Sequence, residues 1–311
     1  MTNKRRTKLR IAVLSGGPGS EREVSLDSGR NVVRALETGE NKSRYIVIPL
    51  KFRDPRLLMS RLQRIQPHVV FPVLHGEFGE DGKVQALLEV FGKPYIGSRV
   101  LASALAMDKV ISSKLLHAEG VRVPKEITPR SQVNLFGGVG SCIVKPRNGG
   151  SSVGVSIVRN KKDLQKAIKL AEREGEPLVQ EYLSGREFTC GVLEFAKGKP
   201  SALPVTEIIP KSKFFDYKAK YMKGGSEEIT PAGISRKLTE EIQQRALLAH
   251  KVLACRHISR SDFIYSRGKL YYLETNTMPG MTSTSLIPQA VRAAKMTMPE
   301  FCDRLVQATL Q

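Results

Sequence analysis

The sequence predicts an α/β (α+β) protein made of three units of roughly 100 residues each. Three observations predict it. Near the N-terminus, short apolar runs alternate with amphipathic stretches in a β-α-β-α-β order, which implies a parallel sheet covered by helices. From Ser141 the texture changes to short strands and loops with a single helical stretch. Beyond that, REFTCGVLEF and ALPVTEII read as neighbouring antiparallel strands.

Taken in order, residues 9–15 form an apolar run ending at Gly16-Gly17, the pattern of a buried strand and its turn. A helix over about 21–38 follows, then strands at 45–50 and 69–73 with a helix at about 55–66 between them. Residues 82–91 and 98–119 read as helical, the second broken near Met107-Asp108. CIVKP, VGVSIV and PLVQEYL read as strands, with a helix at 161–174 before the last. The stretch 210–232 is long, polar and contains Gly224-Gly225; loops of that length are uncommon unless functional, which marks it as a lid. A helix at 239–253 and strands at 257–265 and 269–275 complete the pattern.

Composition excludes several classes. The 311 residues are 41% hydrophobic and 26% charged, enough to bury a full core. No run reaches the roughly 18 apolar residues of a membrane helix. The basic start MTNKRRTKLR is followed by too short an apolar stretch, IAVLS, for a signal peptide. Cys142, Cys190, Cys255 and Cys302 lie far apart with no CxxC, which argues against a zinc ribbon or disulfide scaffold and for the reducing cytoplasm. The formal charge of +20 suits a nucleic-acid binder. The basic residues are spread over helix faces without interleaved aromatics, so solvated surface accounts for most of them, and neither a nucleic acid nor a membrane is expected as partner.

Two motifs mislead. Gly17-Pro18-Gly19 after a strand resembles a dinucleotide fingerprint, but Arg22 stands where the third glycine is needed. Gly150-Ser151-Ser152-Val153-Gly154 matches G-x-S-x-G, but a strand follows it where a nucleophile elbow needs a helix. The same loop follows Lys145 at a strand end. Its small residues could expose N–H groups to phosphate oxygens, or it could be a plain hairpin turn. Glu274 and Asn276 share a strand face, and Asp262 could meet them from a neighbouring strand. Such an all-oxygen set suits Mg²⁺, and solvated carboxylates are the alternative. Arg260 shares a face with Asp262 and could meet an anion held there. His75 lies in the loop HGEFGEDG after a strand end, where open α/β sheets bind ligands.

In order along the chain, SEREVSLDSG, LHGEFGEDG, SALAMDK, VKPRNGGSSVG, LSGREFT, FDYKAKY, SRSDF and ETNTMPGMTSTSL resemble the D-alanine–D-alanine ligases of the ATP-grasp superfamily. The resemblance covers essentially the whole chain. It implies an ATP-grasp fold: an N-terminal Rossmann-like domain (1–103), a central subdomain (104–182) and a C-terminal catalytic subdomain (183–311) around one cleft. It also implies ATP, two Mg²⁺ (or Mn²⁺), two D-alanines joined through an acyl-phosphate for peptidoglycan precursors, and a homodimer.

By the resemblance, Lys109 and Lys145 hold ATP phosphates, Gly150, Ser151, Ser152 and Val153 cover them, and lid Lys220 reaches the γ-phosphate. Gln180, Glu181, Tyr182 and Leu183 form the adenine hinge, and Glu187 binds the ribose. Asp262, Glu274 and Asn276 hold the metals. Glu21 takes the first D-alanine's ammonium and His75 its carboxylate; Ser151 and Tyr221 link Glu21 to the lid. Arg260 and the Gly280 N–H face the oxyanion, and Ser285 and Leu286 grip the second carboxylate. Gln180 stands where the family usually carries an acid, and Ser259 where it often has glycine. A related ATP-grasp ligase taking D-serine, D-lactate or another second substrate is the alternative. A lid tyrosine at 221 goes with an amino-acid second substrate.

Overall fold

The computed structural model describes residues 7–128, 141–150, 153–210 and 225–311. Three sheets organise it. The first is parallel in the order β2-β1-β3, from β1 (Leu9–Gly16), β2 (Tyr45–Phe52) and β3 (Val69–Pro72), linked through α1 (Arg22–Leu36), α2 (Asn41–Arg44) and α3 (Leu58–Ile65). The inner strand β1 and its neighbour β3 are buried on both faces, so residues 11–14 and 69–72 run apolar without a break, while the edge strand β2 is partly exposed. Ala12, Leu14 and Val70 face Leu58, Leu62 and Leu88 of α3 and α4 (Lys83–Phe91). Ile11, Val13 and Phe71 face Val32 and Leu36 of α1.

Next come α5 (Val100–Met107) and α6 (Lys109–Ala118), separated at Asp108. Asp108 ends one helix and caps the next, its Oδ1 accepting from the Val110 and Ile111 N–H groups at 3.0 Å. The second sheet, antiparallel in the order β5-β4-β6, comprises β4 (Cys142–Pro146), β5 (Ser156–Val158) and β6 (Pro177–Glu181), backed by α7 (Lys161–Glu172). The third has six strands: β7 (Arg186–Leu193), β8 (Ser201–Ala202), β9 (Thr206–Pro210), β10 (Ser226–Ile229), β11 (Ile258–Ser266) and β12 (Lys269–Asn276). Its order is β10-β9-β7-β11-β12 with β8 against β7, and α8 (Arg236–Val252) packs on it.

Two departures from the sequence reading stand out. The expected loop at 210–232 contains a strand, since β10 pairs with β9 from Ser226↔Pro210 to Ile229↔Glu207; residues 211–224 lie outside the described residues. After β12 come two helices the sequence reading left out, α9 (Leu286–Ala293) and α10 (Met298–Thr309). Ile287, Val291, Phe301 and Leu305 return to the parallel sheet and pack with Ile11 and Phe71. The C-terminal end therefore closes the N-terminal core. This brings the loop between β12 and α9 against the ends of β1 and β3.

The segment before α5 is pinned to the third sheet. Arg256 donates to the carbonyls of Tyr95 (2.8 Å) and Gly97 (2.9 Å), and the buried His257 Nδ1 accepts from the Gly97 N–H at 3.1 Å. Burial, then the charge of Arg256, pushes the His257 imidazole down to about 3. An unfolded histidine near 6.5 binds a proton the folded one refuses, so stability is full above 6.5 and is lost as pH falls below it. One such group costs about 2 kcal/mol between pH 6.5 and 5. His257 has a φ of 65°, which asparagine tolerates. His257→Asn is therefore expected to remove that part of the slope in urea melts at pH 5 and 6.5; equal slopes would show that His257 does not carry it.

Candidate active site

A cleft of about 1080 Å³ lies between the start of α1, the loops after β3 and β12, and the ends of β11 and β12. It draws in Glu21, His75, Arg260, Glu274, Asn276 and Ser285 from separate segments. A narrow annex carries it to Lys109 and Gly150.

The floor is set by strand register. Arg260 on β11 lies opposite Asn276 on β12, and Asp262 opposite Glu274. Side chains two apart on a strand share a face, so the four form a square on one side of the sheet. A register shift just after Asp262 ends this part of the ladder. Phe263 and Tyr272 then pack edge to face at 6.1 Å beneath it.

The sequence reading assigned Asp262 to a metal and Arg260 to an anion, and the structure pairs them. Arg260 donates from Nε to Oδ1 at 3.0 Å and from Nη2 to Oδ2 at 2.9 Å, and Thr189 Oγ1 adds a bond to Oδ1. Burial works against the Arg260 charge, but Asp262, and then Glu274 and Glu80, outweigh it and raise the guanidinium. Glu274 lies 3.4 Å from Lys109 Nζ, which also donates to the Gly149 carbonyl. Lys145, at the end of β4, is buried beside them. Desolvation first, and then the Lys109 charge, lower it to about 8 against the opposing pull of Glu274. The loop after β4 is held by Arg147, whose guanidinium binds both oxygens of Asp108.

Could this floor hold a metal? Among the described residues no group of three or more His, Cys, Asp and Glu has metal-site geometry. The set here is two carboxylates and an amide, all oxygen donors, which suits a hard cation that also binds phosphate. The Asn276 amide nitrogen is buried with no hydrogen-bond partner among the described residues, so no bond of that nitrogen to them holds the amide in place. The residues present fit Mg²⁺.

Glu21 stands at the N-cap position of α1 without capping it. Two glycines make room for its carboxylate: a Cβ on Gly76 or on Gly150 would lie 2.7 Å from Glu21 Oε1. His75 is engaged on both sides. Its Nδ1–H donates to the Met278 carbonyl at 2.9 Å, because a carbonyl only accepts, and Nε2 pairs with Ser28 Oγ at 2.9 Å. Burial lowers its pKa, so the ring is neutral at pH 7, with Nε2 accepting from Ser28. Neither nitrogen is left for the carboxylate that the sequence reading gave it. At the far end, Ser285 Oγ accepts from the Thr282 N–H (3.1 Å) and pairs with the Thr282 hydroxyl (2.7 Å). Ser285 also precedes Leu286 at the start of α9, and Gly280 packs where a Cβ would come within 2.9 Å of Ser285 Oγ.

On the second sheet, Gln180 is buried and its Oε1 has no partner among the described residues. Glu181 accepts from the Lys125 N–H at 2.8 Å, and the Tyr182 N–H donates to the Ser141 carbonyl at 3.1 Å, so both are already committed. Val153 closes a turn onto the Gly150 carbonyl, and Glu187 lies on β7 opposite Ile264 and Ile208. Ser151, Ser152, Lys220 and Tyr221 lie outside the described residues. Sequence reasoning missed Glu80, Ser28 and Thr189. Glu80 was within view in HGEFGEDG; nothing local marks the other two.

Comparison with known proteins adds independent findings. Family models described as D-ala D-ala ligase C-terminus and N-terminus match residues 137–307 and 51–98. The chain is 42% identical over 317 aligned positions to a D-alanine–D-alanine ligase of Syntrophobacter fumaroxidans, covering 98% of each. The solved D-alanine–D-alanine ligase of Bacillus anthracis superposes with a TM-score of 0.84 at 32% identity, covering 97% of each chain. The VanG D-Ala:D-Ser ligase of Enterococcus faecalis superposes with a TM-score of 0.82 at 29% identity, over 97% of this chain and 100% of that one.

Proposed function

Given that the chain belongs to the D-alanine–D-alanine ligase family, we propose that it joins two D-alanines with ATP, releasing ADP and phosphate, to supply a peptidoglycan precursor. The observation that carries this reading is the cleft itself. One cavity joins a carboxylate for an ammonium (Glu21), an oxygen-lined floor (Glu274, Asn276) and an arginine with a helix start for anions (Arg260, Ser285).

A carboxylate does not react with an amine in neutral water, because oxide is a poor leaving group. The first D-alanine's carboxylate oxygen attacks the γ-phosphorus, ADP departs, and an acyl-phosphate results. Lys109 and Lys145, with Lys220 from the lid, spread the charge that grows on the transferring group. Asp262, Glu274 and Asn276 would hold Mg²⁺ (or Mn²⁺), which when bound would neutralise negative charge on the phosphates. Gln180 offers its unpartnered amide oxygen to the adenine amino group. With the Tyr182 N–H committed to Ser141, the backbone hinge contact falls to Leu183. Glu187 takes the ribose, and Gly150, Ser151, Ser152 and Val153 cover the phosphates.

Glu21 orients the first ammonium, with Ser151 and Tyr221 relaying it to the lid. The second D-alanine places its carboxylate at the start of α9, where Ser285, the Leu286 N–H and the helix dipole favour an anion. Its amine, having lost a proton, attacks the acyl carbon; phosphate leaves and the amide bond forms. Arg260 and the Gly280 N–H stabilise the tetrahedral oxyanion. The enzyme works as a homodimer in the cytoplasm. That compartment is supported by four free, buried cysteines.

Phosphate release from ATP with D-alanine, D-serine and D-lactate supplied singly tests this. D-alanine alone is expected to yield equal amounts of ADP and dipeptide. No ADP and no dipeptide with D-alanine would overturn the reading; salt-sensitive retention of DNA or RNA without turnover would return the +20 charge to a nucleic-acid role.

A further inference from the structure

The loop after β12 carries Gly280, and the residues flanking that glycine are gripped by the N-terminal unit. Glu80 accepts the Met278 N–H at Oε1 (2.9 Å) and the Gly76 N–H at Oε2 (3.0 Å). His75 takes the Met278 carbonyl. Ser28 Oγ accepts the Met281 N–H at 3.0 Å while donating its hydrogen to His75, and Asn31 donates to the Met281 carbonyl at 2.8 Å. Both backbone groups of Met278 and of Met281 are thus held from outside the loop.

Ser28, His75 and Glu80 are all buried. Packing alone would have held the loop with apolar side chains at less desolvation cost. Directional bonds instead fix the orientation of the backbone on either side of Gly280. Burial, and then the charge of Glu21, raise Glu80 to about 7, so holding its carboxylate here is costly for the fold.

We infer that Ser28, His75 and Glu80 form a positioning clamp that aims the Gly280 N–H at the oxyanion of the amide-forming step. The inference rests on the oxyanion role given to Gly280 above. All three act through the loop, by their bonds to Met278 and Met281. The clamp belongs to the second step, since its bonds go to the loop that carries Gly280 and not to Lys109 or Lys145.

The test separates the two steps. Wild-type enzyme and variants are given ATP and D-alanine with hydroxylamine in an excess that makes capture of the acyl-phosphate as a hydroxamate faster than its formation, and dipeptide is measured without it. Glu80→Gln sets an amide NH₂ against one of the two N–H donors. In this variant hydroxamate formation and the KM for ATP should stay within about threefold, while dipeptide formation falls about 10- to 100-fold, the range for a misdirected oxyanion donor. Ser28→Ala, a smaller change that keeps the charge pattern, should show the same split more weakly and carries the test if Glu80→Gln folds poorly. A parallel fall of both products, or unchanged dipeptide formation, would overturn the clamp. A wild-type enzyme yielding neither product would instead overturn the proposed function.

Discussion

Glu274→Gln is expected to lower dipeptide turnover by about 10³-fold, the scale of several kcal/mol of transition-state charge stabilisation. The substitution keeps the shape and removes the charge. In the structure that charge lies 3.4 Å from Lys109 Nζ and opposes the depression of Lys145. It also lies directly across the ladder from Asp262, so its loss weakens the proposed metal site and leaves two lysines under-compensated. ADP release under saturating ATP gives kcat, and a Mg²⁺ titration should show the half-saturating concentration rising in the variant. Turnover close to wild type would remove the metal role from Glu274. The same variant speaks to the bland reading of these carboxylates as solvated surface, which predicts no effect on rate.

Arg260→Lys should lower kcat about 10²- to 10³-fold with little change in the KM for ATP. Lysine keeps the charge but not the planar fork, so it cannot hold both Asp262 oxygens as Arg260 does at 3.0 and 2.9 Å. Loss of one charge-assisted bond should also cost about 1.5–3 kcal/mol of stability in a urea melt. The two readouts are independent. A stability loss with kcat within a few-fold of wild type would make Arg260 a structural partner of Asp262 and nothing more.

Some of this site was readable from short-range rules. Glu274 and Asn276 are two apart on a strand, as are Arg260 and Asp262, so each pair had to share a face wherever the strands formed. The helix break at Asp108 was equally local, since an aspartate capping the next turn is a matter of a few residues. What alternation could not supply was that Asp262 lies opposite Glu274, because register is a property of two strands. The Arg260–Asp262 pair was missed for a related reason. Side chains on one face can turn towards each other or towards a ligand, and the surrounding charge decides which. His75 shows the limit from the other direction. Its position after a strand end was legible, but its two ring nitrogens are used by Met278 and Ser28, contacts that exist only once the C-terminal loop returns.

Along the chain, then, local pattern was enough to settle the class of fold, the parallel N-terminal sheet and the identity of the oxygen-rich strand pair. Those depend on periodicity and on nearest neighbours in sequence, and both are written residue by residue. The return of α9 and α10 onto the first sheet depends on which apolar faces remain uncovered after everything else has packed, as does the room left by Gly76 and Gly150 for Glu21. So does the grip of Ser28, His75 and Glu80 on the turn around Gly280. Each joins segments far apart in the chain, and burial of shared surface, a non-directional force that carries no mark in any one segment, is what brings them together.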